Sequence, residues 1–155
     1  MTHKILPLAL LLAACGANVA SAGNLDFVEK RAGVSHTLHI TNLKMDPKGV
    51  PSFDYAYLQE GAGCRYALSG KAVAGYDEVG GKVELEVYNP QDANGKEGEQ
   101  ILALHDGEVN FTVARKDPLH PKSVSFDTML DKAARAKNCN KKADRLEVLF
   151  KKPAA

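Results

Sequence analysis

Ser125-Phe126-Asp127-Thr128-Met129-Leu130-Asp131-Lys132-Ala133-Ala134-Arg135-Ala136-Lys137 is the stretch whose reading decides the fold class. Phe126, Met129, Leu130, Ala133 and Ala134 recur at i, i+3, i+4, i+7 and i+8, the apolar stripe of an amphipathic helix. Ser125 stands where an N-cap is wanted. Asp127 and Asp131 lie toward the positive end of the helix dipole, Arg135 and Lys137 toward the negative end. The pattern predicts a helix over about residues 126–138. What precedes it reads as strand. The expectation is therefore α+β: a mainly antiparallel sheet of six or seven strands with one helix packed on it. A β-sandwich or barrel-like closure is the alternative.

On the C-terminal side, Leu146, Val148 and Phe150 alternate along residues 145–150 and predict a final strand. On the N-terminal side, residues 117–122 hold two prolines and end a meander. Residues 100–105 and 108–114 read as a hairpin over Asp106-Gly107, a pair suited to a type I′ turn. Residues 82–88 alternate most cleanly: Val83, Leu85 and Val87 inward, Lys82, Glu84, Glu86 and Tyr88 outward. Residues 64–76 are extended, with a bend or bulge expected at Gly70 and Gly75. Phe53, Tyr55 and Tyr57 share one strand face. Val34, His36, Leu38 and Ile40 alternate with Ser35, Thr37, His39 and Thr41 in another strand. Before that the chain is small and polar, and residues 15–32 read as a flexible tether, with residues 25–31 able to form a short helix or strand. A single domain over residues 33–152 follows.

The first residues carry a signal of another kind. Lys4 precedes an apolar run from Ile5 to Ala14. A membrane span needs about 20 apolar residues, so this run reads as a signal peptide over residues 1–14. Leu12-Ala13-Ala14-Cys15 ends it and resembles the lipobox of bacterial lipoproteins. The resemblance covers the first 15 residues only. It implies cleavage before Cys15, lipidation of that cysteine and a lipid anchor in the membrane. Gly16 follows, with no Asp there to signal retention, which by the same resemblance places the protein in the outer membrane facing the periplasm. The alternative is an ordinary signal cut after Ala20-Ser21-Ala22, leaving a soluble periplasmic or secreted protein.

Without residues 1–14, 19 basic and 19 acidic side chains remain, a balance that argues against nucleic acid as a partner. The charge is uneven along the chain: residues 15–114 sum to −6 and residues 115–155 to +6. The expectation is that the two halves pack side by side and neutralise each other; the alternative is an acidic face for a cationic partner or a basic tail near anionic headgroups. With Cys15 set aside, Cys64 and Cys139 remain as an even pair in an oxidising compartment, which reads as a disulfide.

No catalytic, cofactor or metal site is expected. His36 and His39 are three apart on a strand and point to opposite faces. The loop at residues 89–97 has oxygen ligands but not the EF-hand order. Residues 69–71 lack the glycine spacing of a phosphate loop. Glu84, Glu86 and Tyr88 form the one candidate binding feature, an acidic-aromatic stripe on the outer face of a strand, fit for a cationic protein. The expected function is a non-enzymatic periplasmic lipoprotein that binds a protein partner, an inhibitor or immunity protein against an envelope-acting hydrolase. A structural or assembly lipoprotein of an envelope complex is the alternative.

Overall fold

A computed structural model describes residues 20–153. The signal segment and Cys15 lie outside the described residues. In chain order the elements are β1 (Ala20–Ser21), β2 (Leu25–Arg31), β3 (Val34–Met45), β4 (Pro51–Gly61), β5 (Cys64–Ala74), β6 (Tyr76–Val79) and β7 (Lys82–Leu85). They continue with β8 (Val87–Tyr88), β9 (Ile101–Asp106), β10 (Val109–Ala114), β11 (Ser123–Met129), α1 (Lys132–Lys137) and β12 (Arg145–Lys151).

The fold class is not α+β. Residues 123–129 are a strand, and the helix is only Lys132–Lys137. Two periods compete in this stretch, and the period of two prevails. Val124, Phe126 and Thr128 are buried while Ser125 and Asp127 are half-buried and Met129 is exposed. Flanking strands decide the matter, because β10 and β12 offer ladders to both edges of β11. The N-cap is Asp131, not Ser125; its side chain accepts from the Ala134 amide at 2.8 Å. Of the supposed helical stripe, Met129 and Ala133 are exposed.

Every pairing in the structure is antiparallel. The main sheet runs β3-β4-β5-β9-β10-β11-β12, with β1 and β2 both against β3. β12 lies beside β2, and Phe27 of β2 meets Phe150 of β12 across the gap with ring centroids 6.1 Å apart. The sheet thus curls into a nearly closed eight-stranded barrel, up and down in chain order. Residues 25–31, placed in the tether by sequence, are a wall strand.

Alternation fills the barrel. Phe27, Leu38, Ile40, Phe53, Tyr57, Phe111, Phe126 and Phe150 are at most 2 % exposed. Tyr57 stacks on Phe126 at 4.3 Å, and Phe53 meets Phe111 edge-on at 5.0 Å. Eight strands leave room for about that many side chains and little else. His36 points inward and its Nδ1 lies 2.8 Å from the Tyr57 hydroxyl, while His39 points outward. Cys64 and Cys139 form a disulfide that ties the end of α1 to the start of β5. Gly70 makes no bulge: β5 pairs with β4 straight through it.

Candidate functional site

The strand read over residues 82–88 is two strands in two sheets. Lys82–Leu85 pairs with Tyr76–Val79 in a hairpin of its own, whereas Val87–Tyr88 joins β9. Glu86 sits at the crossing. Its amide donates to the Gly75 carbonyl at 2.7 Å and its carbonyl accepts from the Ala103 amide at 3.2 Å. The Gly75 amide in turn donates to the Ala103 carbonyl at 3.2 Å. The first bond closes the base of the hairpin, and the two bonds with Ala103 root it on the barrel wall.

This root separates the candidate residues. Glu86 and Tyr88 stay together, the Tyr88 hydroxyl donating to Glu86 Oε1. Glu84 lies out on the hairpin, directly across from Asp77. Cross-strand partners share a face, so Asp77, Val79, Lys82 and Glu84 make one face. Tyr76, Glu78, Val83 and Leu85 make the other. Val83 and Leu85 are half-buried against the core, and Glu78 pairs with Lys48 of the β3–β4 loop. That side faces the barrel, so the side with Asp77 and Glu84 faces away. Tyr76, Val79 and Tyr88 are 47 %, 57 % and 49 % exposed.

Sequence reading did not find the polar row behind this face. The turn after β9 is Gly107-Glu108, not Asp106-Gly107, because Asp106 pairs with Val109. Gly107 has φ +59° and Glu108 is not left-handed, which fits the first position of a type II′ turn. Asp106 stays in the strand and accepts from the Tyr55 hydroxyl at 2.9 Å. Burial and that bond push the Tyr55 phenol far up. The shifted register sets His105 opposite Asn110, Asn110 opposite Asp127 and Asp127 opposite Glu147. The turn read from sequence would have taken His105 out of this row. The only sequence signal for the row was parity: each falls on the outward face of its strand.

The row is bonded end to end. His105 Nε2 lies 2.8 Å from Glu86 Oε2, and His105 Nδ1 lies 2.6 Å from Asn110 Oδ1. Asn110 Nδ2 donates to Asp127 Oδ1 at 3.1 Å, and Arg145 donates to Asp127 at 3.2 Å and to Glu147 at 3.0 Å. Bonds from Tyr88 and His105 hold the Glu86 carboxyl below its ordinary range.

Elsewhere the described residues offer shallow clefts. One of about 400 Å³ lies beside the disulfide, lined by Arg31, His36, Gln59 and Asn138 among others. Another of about 340 Å³ lies on the outer face of β3, β4 and β5. Among the described residues no three His, Cys, Asp or Glu side chains are grouped to hold a metal ion. Nor is any described helix long and apolar enough to cross a membrane. Comparison with protein-family models, with curated proteins and with solved structures gives no match.

Proposed function

We propose that this protein is a periplasm-facing lipoprotein of the outer membrane that binds a protein partner without catalysis, as an inhibitor or immunity protein of an envelope-acting hydrolase. The placement rests on the resemblance of Leu12-Ala13-Ala14-Cys15 to a lipobox. One observation carries the binding reading: Asp77 and Glu84 stand directly opposite each other on an exposed hairpin. Like charges across a ladder destabilise it by up to about 1 kcal/mol. Among the described residues neither makes an ion pair. A cationic partner relieves that repulsion. Val79 shares the face of the two charges and Tyr88 stands exposed at the hairpin's root, the mixture of apolar and aromatic surface with charge that binding surfaces use.

The aromatic filling of the barrel supports the same reading, since ligand carriers of this architecture keep an open interior. The test is a binding titration against cationic cell-wall hydrolases at low and moderate salt. The expected result is a stoichiometric, salt-weakened complex with loss of hydrolase activity. Tyr88→Ala and Glu84→Gln should each weaken it at least about fivefold, the effect of losing roughly 1 kcal/mol. Binding that ignores both changes would remove this face from the account. Stable co-purification with a multi-protein membrane assembly would point to the assembly role instead.

A further inference from the structure

The hydrogen-bond directions around His105 fix its protonation. Asp127 accepts from Arg145 and from Asn110 Nδ2, which also reaches the Glu108 carbonyl at 3.4 Å. That anchors the Asn110 amide with its NH2 toward β11 and its oxygen toward β9. An amide oxygen only accepts, so His105 Nδ1 must carry a hydrogen. On the other side Glu86 also accepts from Tyr88, and a carboxylate, too, only accepts. Both ring nitrogens face acceptors, and only the imidazolium satisfies both.

We propose that His105 is a proton-operated latch: as imidazolium it clamps Glu86, and with it the root of the β6–β7 hairpin, to the barrel wall, and on losing its proton it lets the hairpin go. The proposal concerns regulation of the binding face and rests on that reading for its use, though not for its chemistry. The geometry suits the task. Glu86 is the outgoing one of the two links between hairpin and barrel, beside Gly75 on the incoming one, and it reaches His105 over Gly75, where a Cβ would stand 2.2 Å from the carboxylate.

The charged groups around the ring are few. Glu86 faces it from the link before β8, with Tyr88 behind. Asp127 of β11 acts through Asn110, with Arg145 of β12 behind. From β5 the register neighbour is Val73, which is apolar. Asp106 and His105 are adjacent, but the Asp106 carboxylate is turned to Tyr55. The bond to Asn110 raises the ring's pKa, burial opposes it, and the Glu86 bond and charge add to the rise. A raised folded value means that the clamp is complete below the ordinary 6.5 and is lost as pH climbs through the raised value.

The experiment uses the folded, oxidised protein with no partner present. Imidazole 15N shifts of His105 are followed against pH, together with exchange protection of the Ala103 and Gly75 amides, the two that bond across the root. The latch predicts both ring nitrogens protonated at about pH 6, and protection at those two amides dropping about tenfold as the ring titrates, the scale of one charge-assisted bond. Asp127→Asn frees the Asn110 amide to turn over, so neutral histidine is then accommodated and both transitions move to lower pH. A ring with one protonated nitrogen at that pH, or protection that does not change through its titration, overturns the proposal. Partner affinity is read separately: a partner that binds the released form equally well removes the regulatory role but leaves the binding face standing.

Discussion

Gly70 and Gly75 matter for what they leave open, since neither has a left-handed φ. A Cβ at Gly70 would stand 2.0 Å from Asp106 Oδ2 and 3.1 Å from the Tyr55 hydroxyl. Gly70→Ala should therefore break the Tyr55–Asp106 bond and leave a buried hydroxyl unpaired, costing about 1–3 kcal/mol in a urea titration. Gly75→Ala meets Glu86 alone: the carboxylate, 2.2 Å away, can swing aside, and the Glu86 Cβ at 3.1 Å must give by a few tenths of an ångström. It should cost about 1 kcal/mol or less while abolishing the His105–Glu86 bond. The two core-wall histidines work with opposite sign. Burial, helped by Arg31, lowers the pKa of His36, so its contribution is present above the ordinary 6.5 and is lost as pH falls below it. His105 contributes below 6.5 and loses its effect at higher pH. His36→Gln should flatten the acid limb of the stability profile and leave the alkaline limb alone. Parity made the facing of His36 and His39 legible in the sequence. The His105 partners were not, because they depend on a turn register that residues 105–110 alone leave open.

At the scale of elements, the stretch from Ser123 to Lys137 is where local pattern and tertiary context part. Phe126, Leu130 and Ala134 turn inward under either period, so they could not discriminate. Val124, Thr128 and Met129 could, and they follow the strand. Substitution separates the two readings. Phe126→Ala should cost about 3–5 kcal/mol and Val124→Ala about 1–3, while Met129→Ala should be nearly neutral, as a helix with Met129 on its apolar stripe would not allow. Strands with unbroken alternation were legible: residues 34–41, 53–57 and 145–150 keep the faces read from sequence. The alternation of residues 82–88 runs through a sheet change, since period two does not report which partner a strand joins. The cysteine pairing was legible from the even count that remains when Cys15 is set aside. Reducing Cys64–Cys139, 75 residues apart, should lower stability by roughly 4 kcal/mol on the chain-entropy model, and urea midpoints with and without reductant read it.

At the scale of the molecule, the filled barrel makes a rigid support and the hairpin is the one outlying sheet among the described residues. The chain's charge asymmetry becomes spatial. Exposed Lys132 and Lys137 lie on α1 and Lys141 and Lys142 just beyond it, at the disulfide end, while Asp77, Glu78 and Glu84 lie on the hairpin near the β3–β4 loop. The Lys116–Glu99 ion pair joins the two halves of the sequence and Glu78 is paired with Lys48, yet Asp77 and Glu84 at one end and the α1 lysines at the other are left to solvent or to partners. Complementary charge acts mainly through the association rate, so raising salt should slow partner binding more than it speeds release. The measurement that bears most directly on the binding account is inhibition of a cationic cell-wall hydrolase by the oxidised domain, wild type beside a Glu84→Gln, Tyr88→Ala double variant. The account predicts one-to-one inhibition by the wild type and its loss in a variant that melts at the same temperature. Equal inhibition by both, or a bound hydrolase that keeps its full activity, would contradict it.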